Sequence, residues 1–323
     1  MNEMDFVYIY ETKRGARMVK QFGTSLIFVV AASACFFACS SDSNSTGPTE
    51  ESSSSAAQIT SSDVVQSSST DPNILWAEDF SGSTINTDVW TFETGATGWG
   101  NNELQYYTDR SENTYVADGF LHIRADRELF ERAPYTSARL ITKGKFSFTY
   151  GTIEARIALP KGKGIWPAFW MLGENIDEVS WPTCGEVDII EAVNDESVVY
   201  GTHHWAHEGQ HAEYGNSTKE YYGTSYPMDI TEFHIYKTVW NEKSFAMYVD
   251  DFKYQEIDIT LPKNADGTVD TTSDMATFHK PFFFILNVAV GGTWPGFDID
   301  DSQFPNEMIV DYIIVRKNET DDL

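Results

Sequence analysis

Short runs of alternating apolar and polar residues follow one another along the chain from Trp76 onward. In residues 145–150 (KFSFTY) and 152–157 (TIEARI) every second position is apolar, and Gly, Pro, Asn and Asp separate such runs. A period of two is typical of half-buried β-strands, whereas no long stretch keeps the 3.6-residue period of an amphipathic helix. Further strands are predicted at residues 120–124, 198–205, 235–240, 245–249, 282–290 and 309–315.

Many strands and few helices predict an all-β domain in which two sheets pack face to face. If one sheet is curved, its concave face forms an open groove that accepts a polymer chain. The strands lie within residues 73–319, which contain no second linker and no evident repeat. We therefore expect a single domain of about 250 residues.

The first 39 residues have the features of an export signal. Basic residues at positions 13–20 precede an apolar stretch at 26–38 that is short for a membrane span. Cys39 then resembles the lipidated cysteine of bacterial lipoproteins, with Cys35 as the alternative. Residues 40–72 are rich in serine and are predicted to form a flexible linker. We expect an exported protein, either secreted or held at the cell surface by a lipid.

The chain carries a formal net charge of −27 and has a pI near 4.4. Without a basic cluster it offers no surface to nucleic acid or to a polyanionic polysaccharide. A neutral ligand is favoured, membrane contact is expected only through the lipid, and the protein is expected to be a monomer. Cys184 is the only cysteine beyond the signal, so we expect no intramolecular disulfide and interpret it as a small buried hydrophobe.

Residues 185–191 (GEVDIIE) interleave the acids Glu186, Asp188 and Glu191 with apolar side chains. On a regular strand the first two acids share one face, and Glu191 points to the other. A β-bulge at residues 189–190 would return Glu191 to the face of its neighbours. An acidic, solvated edge strand or a divalent-metal site would use the same residues, so the spacing alone leaves these alternatives open.

Three carboxylates on one face repel one another, so at least one is expected to hold a proton at neutral pH. Retaining glycosidases use a carboxylic acid and a carboxylate as their two catalytic groups, and these lie about 5–5.5 Å apart. We assign Glu186 as the nucleophile, Glu191 as the general acid/base, and Asp188 as the partner that tunes Glu186.

Aromatic residues make up 14% of the chain and include nine tryptophans, so platforms for sugar rings are expected. The C–H face of a pyranose stacks on an indole ring, although core packing also uses tryptophan. Several candidates lie next to Gly or Pro or near strand ends: Trp99, Trp166, Trp170, Trp205 and Trp294. Trp166 and Trp170 are favoured for a groove because residues 164–167 (GIWP) look like a loop entering a strand.

The acid run, preceded by residues 181–184 (WPTC), resembles glycoside hydrolase family 16 in its laminarinase-like branch. The similarity covers the whole domain. It includes Asn287 and blocks at residues 98–107 (GWGNNELQYY), 137–139 (SAR), 143–146 (KGKF), 164–172 (GIWPAFWML), 201–205 (GTHHW) and 291–296 (GGTWPG).

This resemblance implies a β-jelly roll of two curved antiparallel sheets with an open concave cleft. It also implies endo-hydrolysis of β-1,3-glucans, or of mixed β-1,3-1,4-glucans, with retention and with no cofactor for catalysis. The three acids receive the roles given above. Further residues are implied at the glucose subsites: Asn102, Arg139, Trp166, Trp170, His204 and Trp205.

Many members of this family carry a calcium ion on the convex side, away from the cleft. The matching positions are Asp79, the carbonyl of Gly119, and Asp311, and oxygen ligands of this kind suit calcium. Surface carboxylates without a metal are the alternative.

Two other functions stay open at this point. The same fold could act on another neutral polymer such as agarose, whereas carrageenan is disfavoured because no basic residues near the motifs would pair with sulfate esters. A non-catalytic glucan-binding protein would have the same fold, but relatives of that kind have lost the acids, and this chain keeps all three.

Overall fold

The computed structural model describes residues 71–319; the predicted export signal, Cys39 and nearly all of the linker lie outside them. Within this range no helix has the length and apolar character needed to cross a bilayer. The strands are β1 (Ile74–Glu78), β2 (Thr91–Phe92), β3 (Gln105–Tyr107), β4 (Thr114–Ala117), β5 (Phe120–Ala125), β6 (Tyr135–Ser137), β7 (Arg139–Ile141), β8 (Gly151–Ala158), β9 (Ile165–Gly173), β10 (Glu186–Glu191), β11 (Tyr200–His207), β12 (Gln210–Ser217), β13 (His234–Trp240), β14 (Ser244–Val249), β15 (Phe252–Asp258), β16 (Phe282–Val290) and β17 (Asn306–Arg316). The helices are α1 (Ile176–Val179) and two 3₁₀ turns, Asp274–His279 and Asp301–Gln303.

Two large sheets account for nearly all of these strands. One has the order β15-β14-β13-β8-β17-β5-β4, with β1 paired to the remaining length of β17. The other has the order β12-β11-β10-β9-β16-β7-β2 and carries the acid run on β10. All pairings within both sheets are antiparallel, and β3 and β6 form a separate parallel pair.

The hydrophobic core lies between the two sheets. Strand β16 lies between β9 and β7 in its sheet and is buried at all nine positions. Its alternate residues Phe282, Phe284, Leu286, Val288 and Val290 pack in this core. A strand that is buried along its whole length needs cover on its second face as well, and there Phe283 and Ile285 belong to a smaller cluster with Cys184.

Most of the predicted strands are confirmed: those at residues 120–124, 152–157, 235–240, 245–249, 282–290 and 309–315, and most of that at 198–205. The strand predicted at residues 145–150 is wrong, since only Phe148 forms an isolated bridge, to Phe282. Phe146 instead closes a turn, donating its N–H to the Thr142 carbonyl at 2.9 Å, and stacks on Trp76. The alternating pattern here reflects aromatic rings that a connecting segment packs against the core.

Candidate active site

Strand β10 holds the three acids, and its register shifts between Asp188 and Glu191. In the pairing with β9, the acids lie opposite alternate residues of a regular strand, Leu172, Trp170 and Ala168. Three steps along β10 therefore match two steps along β9, and this is the predicted β-bulge. As a result the structure brings all three carboxyl groups to one cavity.

The bulge is supported from the opposite sheet. Ile189 and Ile190 both pack in the core, and the buried hydroxyl of Tyr254 on β15 donates a hydrogen bond to the Ile189 carbonyl. A buried backbone carbonyl needs such a partner. Gly185, just before the strand, has a φ of +79°, and a Cβ there would lie 2.9 Å from Phe282, so glycine is required at the entry to β10.

Alternate residues of β9 form the floor of the groove, with Trp166 and Trp170 as its two indole rings. The indole N–H of Trp166 donates to Oε1 of Glu191 at 2.9 Å. The indole N–H of Trp170 donates to Oδ1 of Asn287 on β16 at 2.7 Å. Both tryptophans therefore lie where the sequence predicted, and one contacts an acid directly.

Burial raises the pKa of all three acids. The pKa of Glu186 rises to about 8, first through burial and then through the charge of Asp188. Burial, followed by the charge of Asp188, raises the pKa of Glu191 well above its ordinary value. The pKa of Asp188 is likewise raised well above its ordinary value, by burial and then by the charge of Glu213. Burial and mutual repulsion therefore both favour protonated carboxyl groups in this cluster, as expected for crowded acids.

Cations act against this rise, and more of them act on Glu186. His204 on β11 places its Nε2 3.8 Å from Oε1 of Glu186 and 3.1 Å from Oδ2 of Asp188. The charges of His204 and Arg139 both lower the pKa of Glu186, whereas only His204 does so at Glu191. The ionised form is thus more strongly favoured at Glu186.

Arg139 on β7 is fixed between two indole rings. Its guanidinium carbon lies 5.0 Å from the ring centroid of Trp99 and 4.8 Å from that of Trp170. Its Nε is paired with Oε2 of Glu93 at 2.6 Å. Stacking and a charge-assisted hydrogen bond together restrict the side chain, so Arg139 lines the groove in a defined orientation.

A string of hydrogen bonds continues from Trp170 beneath the groove. Nδ2 of Asn287 donates to the hydroxyl of Tyr107 at 3.1 Å, and that hydroxyl donates to Oε2 of Glu103 at 3.1 Å. Nε2 of Gln105 also donates to Oε2 of Glu103, at 2.6 Å. Burial raises the pKa of Glu103, and these donors oppose the rise. Each hydrogen bond of this string is donated to the next residue in the direction of Glu103, which accepts the last one.

The groove contains a cavity of about 380 Å³ and includes residues to which the sequence assigned no role. Three of these are Asn101, Glu103 and Trp181, the last of which is 46% exposed. An aromatic residue four positions before the acid run was the signal that could have identified Trp181. Asn102 is exposed and donates through Nδ2 to Oγ1 of Thr293 at 3.3 Å, and the residues on either side of it line the cavity in its place.

The assignment of Trp205 to the groove is wrong. Its side chain is 5% exposed and packs in the core against Phe278. Because His204 lies on the same face of the sheet as the acids, the next residue on its strand must face the opposite side. Trp294, by contrast, is exposed and meets Trp166 edge-on with ring centroids 5.5 Å apart, which extends the aromatic wall.

The three positions expected to bind calcium converge on β17. Strands β1 and β5 pair with different parts of β17, so Asp79, after β1, and Gly119, before β5, flank the stretch that holds Asp311. The Asp311 carboxylate is 3% exposed and is paired with Nη1 of Arg156 at 2.5 Å. Calcium takes about six to eight oxygen ligands, so these positions would supply only part of its coordination sphere. A calcium site here stays a prediction.

Comparison with known proteins agrees with this fold. Residues 97–313 match the family model for glycosyl hydrolases family 16. The Beta-glucanase of Rhodothermus marinus is 38% identical over 254 residues, which cover 76% of this chain and 85% of the relative. The Clotting factor G alpha subunit of Tachypleus tridentatus is 42% identical over 249 residues, but the match covers 34% of that protein. A solved catalytic domain of an endo-1,3-beta-glucanase (laminarinase) from Thermotoga petrophila has a TM-score of 0.65 and 41% identity, covering 76% of this chain and 98% of that one.

The two-sheet fold and its carboxyl-lined groove define a glycoside hydrolase of the jelly-roll type. The chain belongs to glycosyl hydrolase family 16. The predicted fold class and the family resemblance are therefore confirmed. Catalysis in this family needs no cofactor, because carboxyl groups carry both the nucleophilic and the acid/base steps.

Proposed function

We propose that this protein cleaves β-1,3-glucan chains internally and with retention, and that it also accepts mixed β-1,3-1,4-glucans. The observation that carries the proposal is the β10 bulge. It directs three carboxyl groups into one groove, and two indole rings lie on the floor of this groove. The similarity to the Rhodothermus beta-glucanase and to the Thermotoga laminarinase supports the choice of polymer.

The electrostatics of the groove support distinct roles for the two glutamates. Glu186 has two cations acting in favour of its carboxylate form, which is the form that attacks an anomeric carbon. Burial and the charge of Asp188 raise the pKa of Glu191 and favour its protonated form, which suits a general acid. Asp188 lies between them in the sequence, and its charge raises the pKa of both glutamates, so the three groups titrate together.

Each turnover proceeds in two displacements. A carboxylate oxygen of Glu186 bonds to the anomeric carbon as the glycosidic C–O bond breaks, and Glu191 gives its proton to the leaving oxygen. Water then gives a proton to Glu191 and bonds to the same carbon, which releases Glu186. Two inversions at one carbon retain the configuration and restore both side chains.

The groove also supports the choice of a long neutral substrate. Trp166, Trp170 and Trp294 offer several ring surfaces in succession, so several sugar units can be held at once. The net charge of −27 opposes anionic polymers. Oligosaccharides of several sizes are therefore expected early in the reaction, as in cleavage at internal positions.

The direct test is incubation with laminarin, mixed-linkage glucan, cellulose, xyloglucan and agarose, followed by product sizing and NMR of the newly formed anomer. Laminarin should yield a ladder of β-configured oligosaccharides. Glucose alone from the first minutes, or cleavage of agarose without cleavage of laminarin, would refute the proposed substrate. Binding of laminarin without cleavage would favour a glucan-binding protein.

We further propose that the protein is exported and anchored through Cys39, which is supported by the sequence alone because these residues lie outside the described range. Labelling with a fatty-acid analogue should mark the wild-type protein and not Cys39→Ala. Equal labelling of both proteins would exclude Cys39, and Cys35→Ala would then test the alternative acceptor.

A further inference from the structure

A cluster of metal-binding side chains lies on the hairpin of β11 and β12, next to the acids. His204 and Glu213 are direct cross-strand partners, and His211 is the diagonal neighbour on the same face. Nδ1 of His204 lies 2.9 Å from Nε2 of His211 and 3.6 Å from Oε2 of Glu213. The last two atoms are 3.9 Å apart. Three donor atoms of two residue types therefore converge on one point.

The size of this triangle suits a small divalent cation. The point equidistant from atoms separated by 2.9, 3.6 and 3.9 Å lies about 2.0 Å from each, which is the usual length of a Zn–N or Zn–O bond. Two imidazoles and one carboxylate are ligands that zinc accepts, whereas calcium and magnesium prefer oxygen alone. A fourth position remains for water or a sugar hydroxyl.

The surroundings of His204 resemble those of metal-bound histidines. Its Nε2 lies 3.1 Å from Oδ2 of Asp188, a charge contact that is not a hydrogen bond, and its Nδ1 faces the cluster and becomes a ligand when the ring loses a proton. Histidine ligands commonly have a carboxylate beside their second ring nitrogen, which helps to orient the ring. The ring of Trp181 lies 4.7 Å from that of His211 and covers one side.

We propose that His204, His211 and Glu213 bind one zinc-class divalent cation, and that its binding inhibits glucan cleavage. The cation replaces the proton that the two histidines share at 2.9 Å. Once bound, it fixes the imidazole that contacts Asp188 and lies next to Trp181, which lines the groove. Inhibition rests on the proposed glucanase function, whereas metal binding does not.

Calorimetric titration of EDTA-treated, dialysed protein with ZnCl₂ tests the site without any substrate. Wild type should bind one zinc ion and should give no such signal with CaCl₂. His211→Gln and Glu213→Gln should each lose most of this signal. His207→Gln is the matched control, because His207 lies on the same hairpin but pairs with Asp274 at 2.6 Å; it should bind zinc as wild type does.

Turnover of a β-1,3-glucan then tests inhibition. Activity of the wild type should fall with the same zinc midpoint as the calorimetric signal, and EDTA should restore it. His211→Gln should keep wild-type turnover in EDTA and resist zinc. The site is refuted if wild type shows no saturable binding or if His211→Gln binds zinc as tightly. Unchanged turnover of zinc-saturated enzyme refutes the inhibitory effect, whereas intact zinc binding without turnover on any polymer refutes the glucanase function alone.

Discussion

The substitution Trp166→Phe should move the basic limb of the pH–rate profile upward. Trp166 donates its indole N–H to Oε1 of Glu191 at 2.9 Å, and this bond lowers the pKa of Glu191 against burial and the charge of Asp188. Phenylalanine keeps a ring for sugar stacking but has no donor. The ionised form of Glu191 therefore loses a partner, and the acid stays protonated to higher pH.

The size of the effect follows from the energy of the bond. A hydrogen bond to a charged acceptor contributes about 1.5–3 kcal/mol. Since about 1.4 kcal/mol corresponds to a tenfold change in a proton-binding constant, the limb should move up by about 1–2 pH units. The rate at acidic pH should change less, because Glu191 is already protonated there.

The assay is kcat/KM for a soluble β-1,3-glucan, measured from acidic to alkaline pH by the release of reducing ends. Trp170→Phe is the matched control, because its indole N–H goes to Asn287 at 2.7 Å and not to an acid. That variant should weaken binding and leave the basic limb in place. A Trp166→Phe limb that stays fixed, or that moves down, would refute the assignment of Glu191 as the acid.

Three further predictions concern the same strand. Glu191→Ala should lose turnover on glucan but recover it with azide or formate on a substrate with a good leaving group; rescue of Glu186→Ala to a retained product would exchange the two roles. The pKa of Glu186 rises from 4.5 to about 8 on folding, so the folded state binds its proton more tightly, and the free energy of unfolding falls as pH rises across that interval. Glu186→Gln should abolish turnover, because an amide cannot attack the anomeric carbon. It should also raise Tm more near pH 8 than near pH 4.5, and equal shifts of Tm at the two pH values would contradict this. Tyr254→Phe should lower the free energy of unfolding by about 1–3 kcal/mol in urea titrations. It should also lower kcat through Glu191; an unchanged kcat would show that the strand pairing alone holds the bulge.

The bulge could be predicted because the acids themselves conflict with a regular strand. Glu191 is at an odd offset from Glu186, and only one extra residue reconciles the offset with a shared face. The same alternation, applied to residues 204 and 205, would have placed Trp205 in the core. It was placed in the groove instead, because similarity of a block does not say which face of the strand each of its residues occupies.

The supports of the site could not be predicted, because they join residues that are distant in the chain. Tyr254 reaches Ile189 across the core, and Tyr107 reaches Asn287 beneath the groove. Such pairs depend on sheet order and register, which alternation does not encode. The strand prediction at residues 145–150 was wrong for a related reason. A period of two also arises when a connecting segment packs alternate aromatic side chains against the core.

The string of hydrogen bonds beneath the groove restricts what Trp170 can recognise. Its only N–H is already donated to Asn287, and that of Trp166 is donated to Glu191. Both rings can therefore offer a passing sugar nothing but a flat surface. Such a surface can stack on a pyranose, but it does not distinguish the pattern of its hydroxyl groups or the linkage that joins it to the next unit. Discrimination among glucans must then come from the polar side chains along the walls of the groove. The floor itself can bind glucan chains with different linkages.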